Sequence, residues 1–268
     1  MAELSRQDAE KLVESIGIPP RPAIVLAIMD EKARDEPDLG LIAEIIARDV
    51  GISAALLKTV NSPLFGLKQT VRSVQQAVGL LGLSRVVTLA NSLALRTSVN
   101  AQGIERFWDQ SARTAMISAW LAGKFGHNRD DAYLFGLFRD AGIPLLMKRF
   151  KDYKETLRLA DTDPRGITAV EDERHGMNHA IIGAILARNS HLEESVRNAI
   201  RSHHEHDVFR SSDDSLVKNL IAVSHLAGQL ECRYSRNRDD GEWAHFAQAV
   251  QTWLMISDED VEPLCQEG

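Results

Sequence analysis

The sequence predicts an all-α protein, and three observations carry that expectation. Apolar residues recur at helical spacing along most of the chain, as in Ile42, Ile45, Ile46 and Val50, or Leu216, Leu220, Val223, Ala227 and Leu230. Period-two alternation over a strand's length is hard to find. Helix start signals stand at matching places: Pro22 suits a first helical turn, and Asp38, Ser73 and Asp130 precede apolar-periodic runs as N-caps do.

Taken in order, the elements begin with a helix over 5–15, followed by one over 22–34 that Pro22 opens and the apolar run Ala23 to Met29 fills. Asp38 opens 38–47, and Gly51 separates it from a Leu-rich helix over 52–60. Ser73 starts 72–80, which Leu81-Gly82 closes before a long helix over 83–98. The second half predicts helices over 105–126, 130–149 and 151–161, then the breaker loop Asp161-Thr162-Asp163-Pro164-Arg165-Gly166. Further helices fall over 178–189, 193–206, 213–235 and 242–254.

A chain of 268 residues with 44% hydrophobic content buries a sizeable core. Formal net charge is −7; residues 1–100 hold 11 Lys+Arg against 11 Asp+Glu, leaving 20 against 27 for residues 101–268. No basic domain stands out for nucleic acid. The start Met1-Ala2-Glu3-Leu4-Ser5-Arg6 lacks the basic-then-apolar pattern of a secretory leader. The longest apolar runs, Ala23 to Met29 and Ala180 to Ala187, fall short of the roughly 20 residues a membrane span requires. Cys232 and Cys265 form neither a metal-type pair nor a disulfide framework, which suits a reducing cytoplasm. The expectation is a soluble, cytoplasmic protein. The polar stretch Ser98 to Gly103, where the charge balance also shifts, divides it into subdomains 1–100 and 101–268.

Ala47 to Lys58 can be read as a helix-turn-helix with Gly51 in the turn, the basis for a DNA-binding regulator through residues 41–60. Its second helix offers Ala54, Ala55, Leu56 and Leu57 where a recognition helix needs Arg, Lys, Asn or Gln, which favours two packed core helices. Asn61-Ser62 stand where a helix ends before Pro63; Asn tolerates left-handed geometry, and either side chain can satisfy backbone groups left open there. Both a structural corner holding Phe65 and a ligand contact remain open for Asn61 and Ser62.

The order Ile18-Pro19-Pro20-Arg21-Pro22, Asp49 before a Leu-rich helix, Asn61-Ser62 with Phe65-Gly66, and a Gln76-Ala77 helix ending at Leu81-Gly82 resembles the HDOD family of bacterial signalling output domains. The resemblance spans about 16–235. It implies an N-terminal helical subdomain and a C-terminal bundle descended from the HD fold. Phe135-Gly136-Leu137-Phe138-Arg139-Asp140-Ala141-Gly142 is similar to the metal-dependent HD phosphohydrolase motif with Arg in place of its His. Arginine stays protonated and cannot donate a lone pair to a metal. Gln110 falls near the position of the first HD histidine, so Gln110, Arg139 and Asp140 read as a degenerate site, with Asp140 free to pair with Arg139.

His175 and His179, four apart, share a helical face if the helix begins early enough, and Gly183 continues it. His203 and His204 are adjacent, about 100° apart on a helix, so one of them points squarely into a given site. By the resemblance, Asp140, His179, His203, His204 and His225 are the candidate metal ligands. No Gly-Tyr-Pro follows Glu205, so the loop of cyclic-dinucleotide HD-GYP enzymes is absent, and no phosphate loop, nucleophile elbow or HExxH helix supplies other chemistry.

The resemblance therefore implies a bacterial regulatory protein that binds a signalling protein partner or a small-molecule or nucleotide ligand through a degenerate HD site, without catalysis and with no cofactor expected. The alternative is a divergent metal-dependent phosphohydrolase or phosphodiesterase holding a divalent Zn, Fe, Mn or Ni ion. Composition argues against nucleic acid and membrane as partners.

Overall fold

The computed structural model describes residues 23–62, 65–99, 104–190, 192–211 and 214–267, apart from a few side chains within them. The expected helix over 5–15, the opening Ile18 to Pro22, the residues Pro63 and Leu64, most of the polar stretch at 100–103 and the Cys265 side chain lie outside what is described. Among the described residues the chain is all-α, with no strand. It forms two compact units, one within Pro19–Asn100 and one within Ala101–Gly268.

The first unit contains α1 (Ala23–Lys32), α2 (Leu39–Arg48), α3 (Val50–Val60), α4 (Val74–Leu81) and α5 (Leu83–Ser98). Ile28, Ile42, Ile46, Leu56, Val60 and Ala77 are fully buried and form its core. Each large aliphatic side chain contributes about 1.5–3 kcal/mol on burial. Capping fixes the helix starts: Asp38 accepts from the Leu41 N–H, Asp49 from Ile52 and Ser73 from Gln76.

Asn61 closes the corner after α3 without using left-handed geometry, since its φ is −82° and Gly66 takes the positive φ of 56°. Its Nδ2 donates to the carbonyls of Leu57 and Val71, both at 2.8 Å, and its Oδ1 accepts from the Val71 N–H at 2.8 Å. The side chain is a clasp that ties α3 to the segment entering α4. Ser62 Oγ is buried and has no hydrogen-bond partner among the described residues. The turn between α2 and α3 serves packing: α3 buries Ile52, Leu56 and Val60 and exposes Val50, Gly51, Ala54 and Lys58. Of these exposed residues Lys58 alone carries a donor of the kind that reads base edges, and it stands in the last turn of the helix rather than at its start.

The second unit contains α6 (Glu105–Lys124), α7 (Arg129–Phe138), α8 (Gly142–Arg149), α9 (Tyr153–Ala160), α10 (Ile167–His175) and α11 (His179–Asn189). It continues with α12 (Glu194–Ser202), the single turn α13 (Val208–Ser211), α14 (Ser215–Arg236), α15 (Trp243–Leu254) and α16 (Asp258–Glu267). α14 is buried without interruption from Leu220 to Cys232, and α6, α12 and α15 pack around it. A helix covered on all sides is the axis of its unit. α7 is likewise buried from Ala132 to Phe138 and lies along α6. Gly136 permits that approach, since a Cβ there would stand 2.8 Å from Ala115 Cα. No helix among the described residues is long and apolar enough to cross a membrane.

Several boundaries depart from expectation, each for a local reason. The helix expected over 130–149 is two helices, with Arg139, Asp140 and Ala141 between them and Pro144 accommodated in the first turn of α8. Asn128, not Asp130, caps α7, its side chain accepting from the N–H groups of Asp130 and Asp131. The helix expected over 193–206 stops at Ser202. α10 and α16 were not expected: α10 buries only Val170 and Glu171, and α16 carries Pro263 inside it.

Candidate metal centre

The break between α7 and α8 is what makes the site. Gly142 opens α8 directly against the start of α11: a Cβ there would fall 2.1 Å from the His179 carbonyl oxygen. This contact sets Asp140 beside His179. α11 begins at His179 because Asn178 caps it, accepting from the Ile181 N–H while its own Nδ2 donates to both Asp172 oxygens at 3.0 Å. Helix α12 ends at Ser202, so His203 and His204 occupy a turn and both reach Asp140's neighbourhood. His203 still holds αR backbone, yet the two adjacent rings converge on one carboxylate instead of one of them turning away.

Asp140, His179, His203 and His204 each offer a ligand atom, all within 4.8 Å of one another. Asp140 Oδ1 lies 3.3 Å from His203 Nε2 and 3.5 Å from His179 Nε2, and the Nε2 atoms of His179 and His204 are 2.9 Å apart. Each imidazole is oriented from behind through Nδ1. His179 Nδ1 donates to Glu171 Oε2 at 2.7 Å, His203 Nδ1 to the Ile200 carbonyl at 2.7 Å, and His204 Nδ1 to Glu242 Oε1 at 2.5 Å. With Nδ1 spent on an acceptor, the neutral ring presents its Nε2 lone pair to the cluster. Glu171 is itself fully buried; it also accepts from the His179 backbone N–H at 3.0 Å and from the Tyr153 hydroxyl.

The electrostatics follow from these contacts. Burial opposes the charge of Asp140, yet the Arg139 guanidinium foremost, with the imidazole of His179 beside it, holds its carboxyl well below the usual range. Burial also acts to lower His179, but Glu171 and Asp140 push it up to about 10. His203 is lowered to about 4 and His204 to about 3, in both cases chiefly by burial. His179 therefore carries the proton and donates it to His204 Nε2, whose lone pair faces it.

Arg139 and Asp140 form the ion pair the sequence allowed, Nε donating to Oδ2 at 3.0 Å. Gln110 is outside the four-residue cluster and accepts from Arg236 at 2.5 Å. His225, grouped with the ligands from sequence, is also set apart: its Nε2 donates to the His203 carbonyl at 2.9 Å and its ring stacks on Phe246. His175 closes α10 on the far side of the Gly176 break, bonded to Thr156 and stacked on Phe150, so it shares no helical face with His179. Glu171, Glu242 and Tyr153 were missed, because no spacing in the sequence joins an acid eight residues upstream, or in a later loop, to a histidine.

Three imidazoles and one carboxylate, with nitrogens fixed from behind and the four ligand atoms within 4.8 Å of one another, are the donor set a divalent ion of the Zn, Fe, Mn or Ni type takes, at bonds of about 2.0–2.2 Å. Asp140, His179 and His204 also line a cavity of about 530 Å3 together with Arg139, Arg236 and Glu242. The volume suits a small-molecule ligand.

Comparison with known proteins agrees with this architecture. A family model described as the HDOD domain matches residues 18–206. An uncharacterized protein of Treponema pallidum is 29% identical over 197 residues, 70% of this chain and 37% of its own length, so the chain spans little more than a third of that relative. A candidate phosphohydrolase of Shewanella amazonensis superposes with a TM-score of 0.71 at 22% identity, covering 96% of this chain and 92% of its own. A candidate signal transduction protein of Marinobacter aquaeolei gives 0.69 at 24% identity, covering 96% of this chain and 58% of its own. At these identities the two structures establish the fold.

Proposed function

The chain belongs to the HDOD family, and from that premise we propose that it is a bacterial signal-transduction component that works by binding, with one divalent ion held by Asp140, His179, His203 and His204 and without ester hydrolysis. The bound ion supplies a Lewis-acidic anchor for an anionic group of a small ligand. The chain's own residues do the rest: Glu171, the Ile200 carbonyl and Glu242 orient the three imidazoles, and Arg139 and Arg236 add fixed positive charge to the cavity. The name carried by the Marinobacter protein is in keeping with a signalling role.

One observation carries the reading. Where a hydrolase of this kind keeps a histidine, Arg139 stands and spends its Nε on Asp140. A guanidinium cannot accept a proton or ligate a metal at any physiological pH. The test is a turnover screen of untagged, Mn²⁺-loaded protein with phosphomonoesters, phosphodiesters and cyclic dinucleotides. We expect no hydrolysis above the Asp140→Asn variant, and saturable binding of at least one anionic compound. Hydrolysis that disappears in Asp140→Asn would contradict the proposal and establish the second reading, a metal-dependent phosphohydrolase, which the retained four-residue cluster and its cavity favour.

A further inference from the structure

The cavity beside the imidazole cluster is lined by arginines of two kinds. Arg139 is paired with Asp140, Arg158 with Glu155, and Arg165 with Asp163 and Glu173. Arg236 and Arg238 line the same cavity, and among the described residues neither has a carboxylate within ion-pair reach. Arg236 donates instead to the neutral Gln110 side chain at 2.5 Å. The acids of the neighbouring loop have other donors: Asp239 accepts from Arg233 and Gln229, Asp240 from the Glu242 N–H, and Glu242 from His204. Five arginines and five carboxylates line the cavity in all, so a bound divalent ion leaves it net positive.

The backbone is bent to bring the two unpaired side chains to one wall. α14 ends at Arg236, and on a continuing helix a residue two places further would point about 200° away. Asn237 takes left-handed backbone instead, with φ 50° and ψ 40°, and its N–H donates to the Arg233 carbonyl at 3.0 Å. Arg238 thus reaches the cavity that Arg236 lines, and two residues on, its Cα stands at most about 7.6 Å from that of Arg236. Gln229, fully buried, fixes the loop: its Nε2 donates to Asp239 Oδ1 at 2.6 Å and its Oε1 accepts from the Asp240 N–H at 2.8 Å. A loop held in this way needs little further ordering when a ligand arrives.

Two guanidinium groups side by side repel each other, and an anion between them removes that repulsion. Their forked donors match phosphate oxygens. A terminal phosphate, carrying about −1.5 to −2 at neutral pH, suits a pair of cations better than a singly charged carboxylate does. We propose that Arg236 and Arg238 form a second anion position of this cavity and take a phosphate group. The ligand is then a small molecule with two separated anionic groups, one on the ion held by Asp140, His179, His203 and His204 and one on the arginine pair. A volume of about 530 Å3 accommodates such a molecule.

The proposal rests on the single-ion reading for the first of these positions, and the test separates the two. Untagged protein is titrated calorimetrically with inorganic phosphate and with α,ω-alkane bisphosphonates of increasing spacer length, once stripped by chelator and once loaded with Mn²⁺ and freed of excess metal. Metal-free wild type is expected to bind phosphate. Arg236→Gln and Arg238→Gln should each weaken that binding about tenfold or more, as loss of a charge-assisted hydrogen bond does, with thermal stability unchanged. In the loaded protein one spacer length should bind about 100-fold tighter than phosphate, and the double variant Arg236→Gln/Arg238→Gln should lose the gain. Phosphate binding to metal-free protein that is absent, or that survives both substitutions, overturns the arginine position. No gain at any spacer length, on protein shown by mass spectrometry to hold its ion, overturns the two-ended ligand. Wild type that takes up no ion overturns the single-ion reading alone, and the arginine position then stands or falls on the metal-free titration.

Discussion

The Nε2 atoms of His179 and His204 lie 2.9 Å apart, nitrogen facing nitrogen. Two lone pairs at that distance repel, and two protons collide, so one ring must carry the proton and the other accept it. Glu171 assigns the proton to His179, because its buried carboxylate accepts from the opposite ring nitrogen. A single positive charge lies between the imidazoles and Asp140, and in the function proposed above a metal ion takes its place.

Glu171 should therefore govern metal affinity without touching the metal. Replacing it by Gln removes the charge that orients His179, and losses of such partners cost about 10- to 100-fold in affinity. Competition with a chromophoric chelator should report a weakening in that range for Glu171→Gln. Tyr153→Phe, which touches only Glu171 in this chain of contacts, should weaken binding less.

Much of this arrangement was legible in the sequence, and the failures have physical causes. Helical periodicity marks the cores of α7 and α14, because the apolar residues each buries recur at helical spacing. It could not mark where helices stop, since capping and glycine contacts decide that. The break at Arg139–Ala141 depends on Gly142 meeting the His179 carbonyl, a contact between residues distant in sequence. α12 ends at Ser202, and His203 and His204 beyond it both face Asp140, a convergence that adjacency in the sequence does not reveal. Asp140, His179, His203 and His204 were identifiable by resemblance, whereas Glu171 and Glu242 come from segments whose local sequence gives no sign of their partners.

Gly142→Ala should be among the most disruptive single-methyl additions in the second unit. Its Cβ would meet backbone at 2.1 Å, with no flexible side chain to give way. Overpacking of this kind costs about 1–3 kcal/mol or more. Thermal denaturation should show a clear loss of stability, accompanied by loss of metal binding as α8 is pushed from α11.

Asn61→Ala should separate a structural role from a ligand role in the first unit. Three hydrogen bonds at 2.8 Å are lost, each worth about 0.5–1.5 kcal/mol. Denaturant titration should show destabilisation of about 1.5–4.5 kcal/mol by that sum, while metal stoichiometry stays unchanged. A change in stoichiometry with stability intact would assign Asn61 to a ligand.

Stability should fall in mild acid through His225. Burial lowers its pKa from 6.5 to about 3, so the folded chain keeps it neutral while the unfolded chain protonates it. The contribution is complete above pH 6.5 and is lost as pH falls from there toward about 3, at about 1.4 kcal/mol per pH unit at most. His225→Gln, which retains a donor for the His203 carbonyl, should flatten the denaturation midpoint between pH 6.5 and 4. An unchanged slope would show that other groups dominate.

The most direct test of the central claim is an anomalous difference map from crystals of untagged protein loaded with Mn²⁺ or Zn²⁺. The account predicts a single peak in the second unit, bounded by Asp140 Oδ1 and the Nε2 atoms of His179, His203 and His204. No peak there, or a peak whose ligands exclude these histidines, would contradict it.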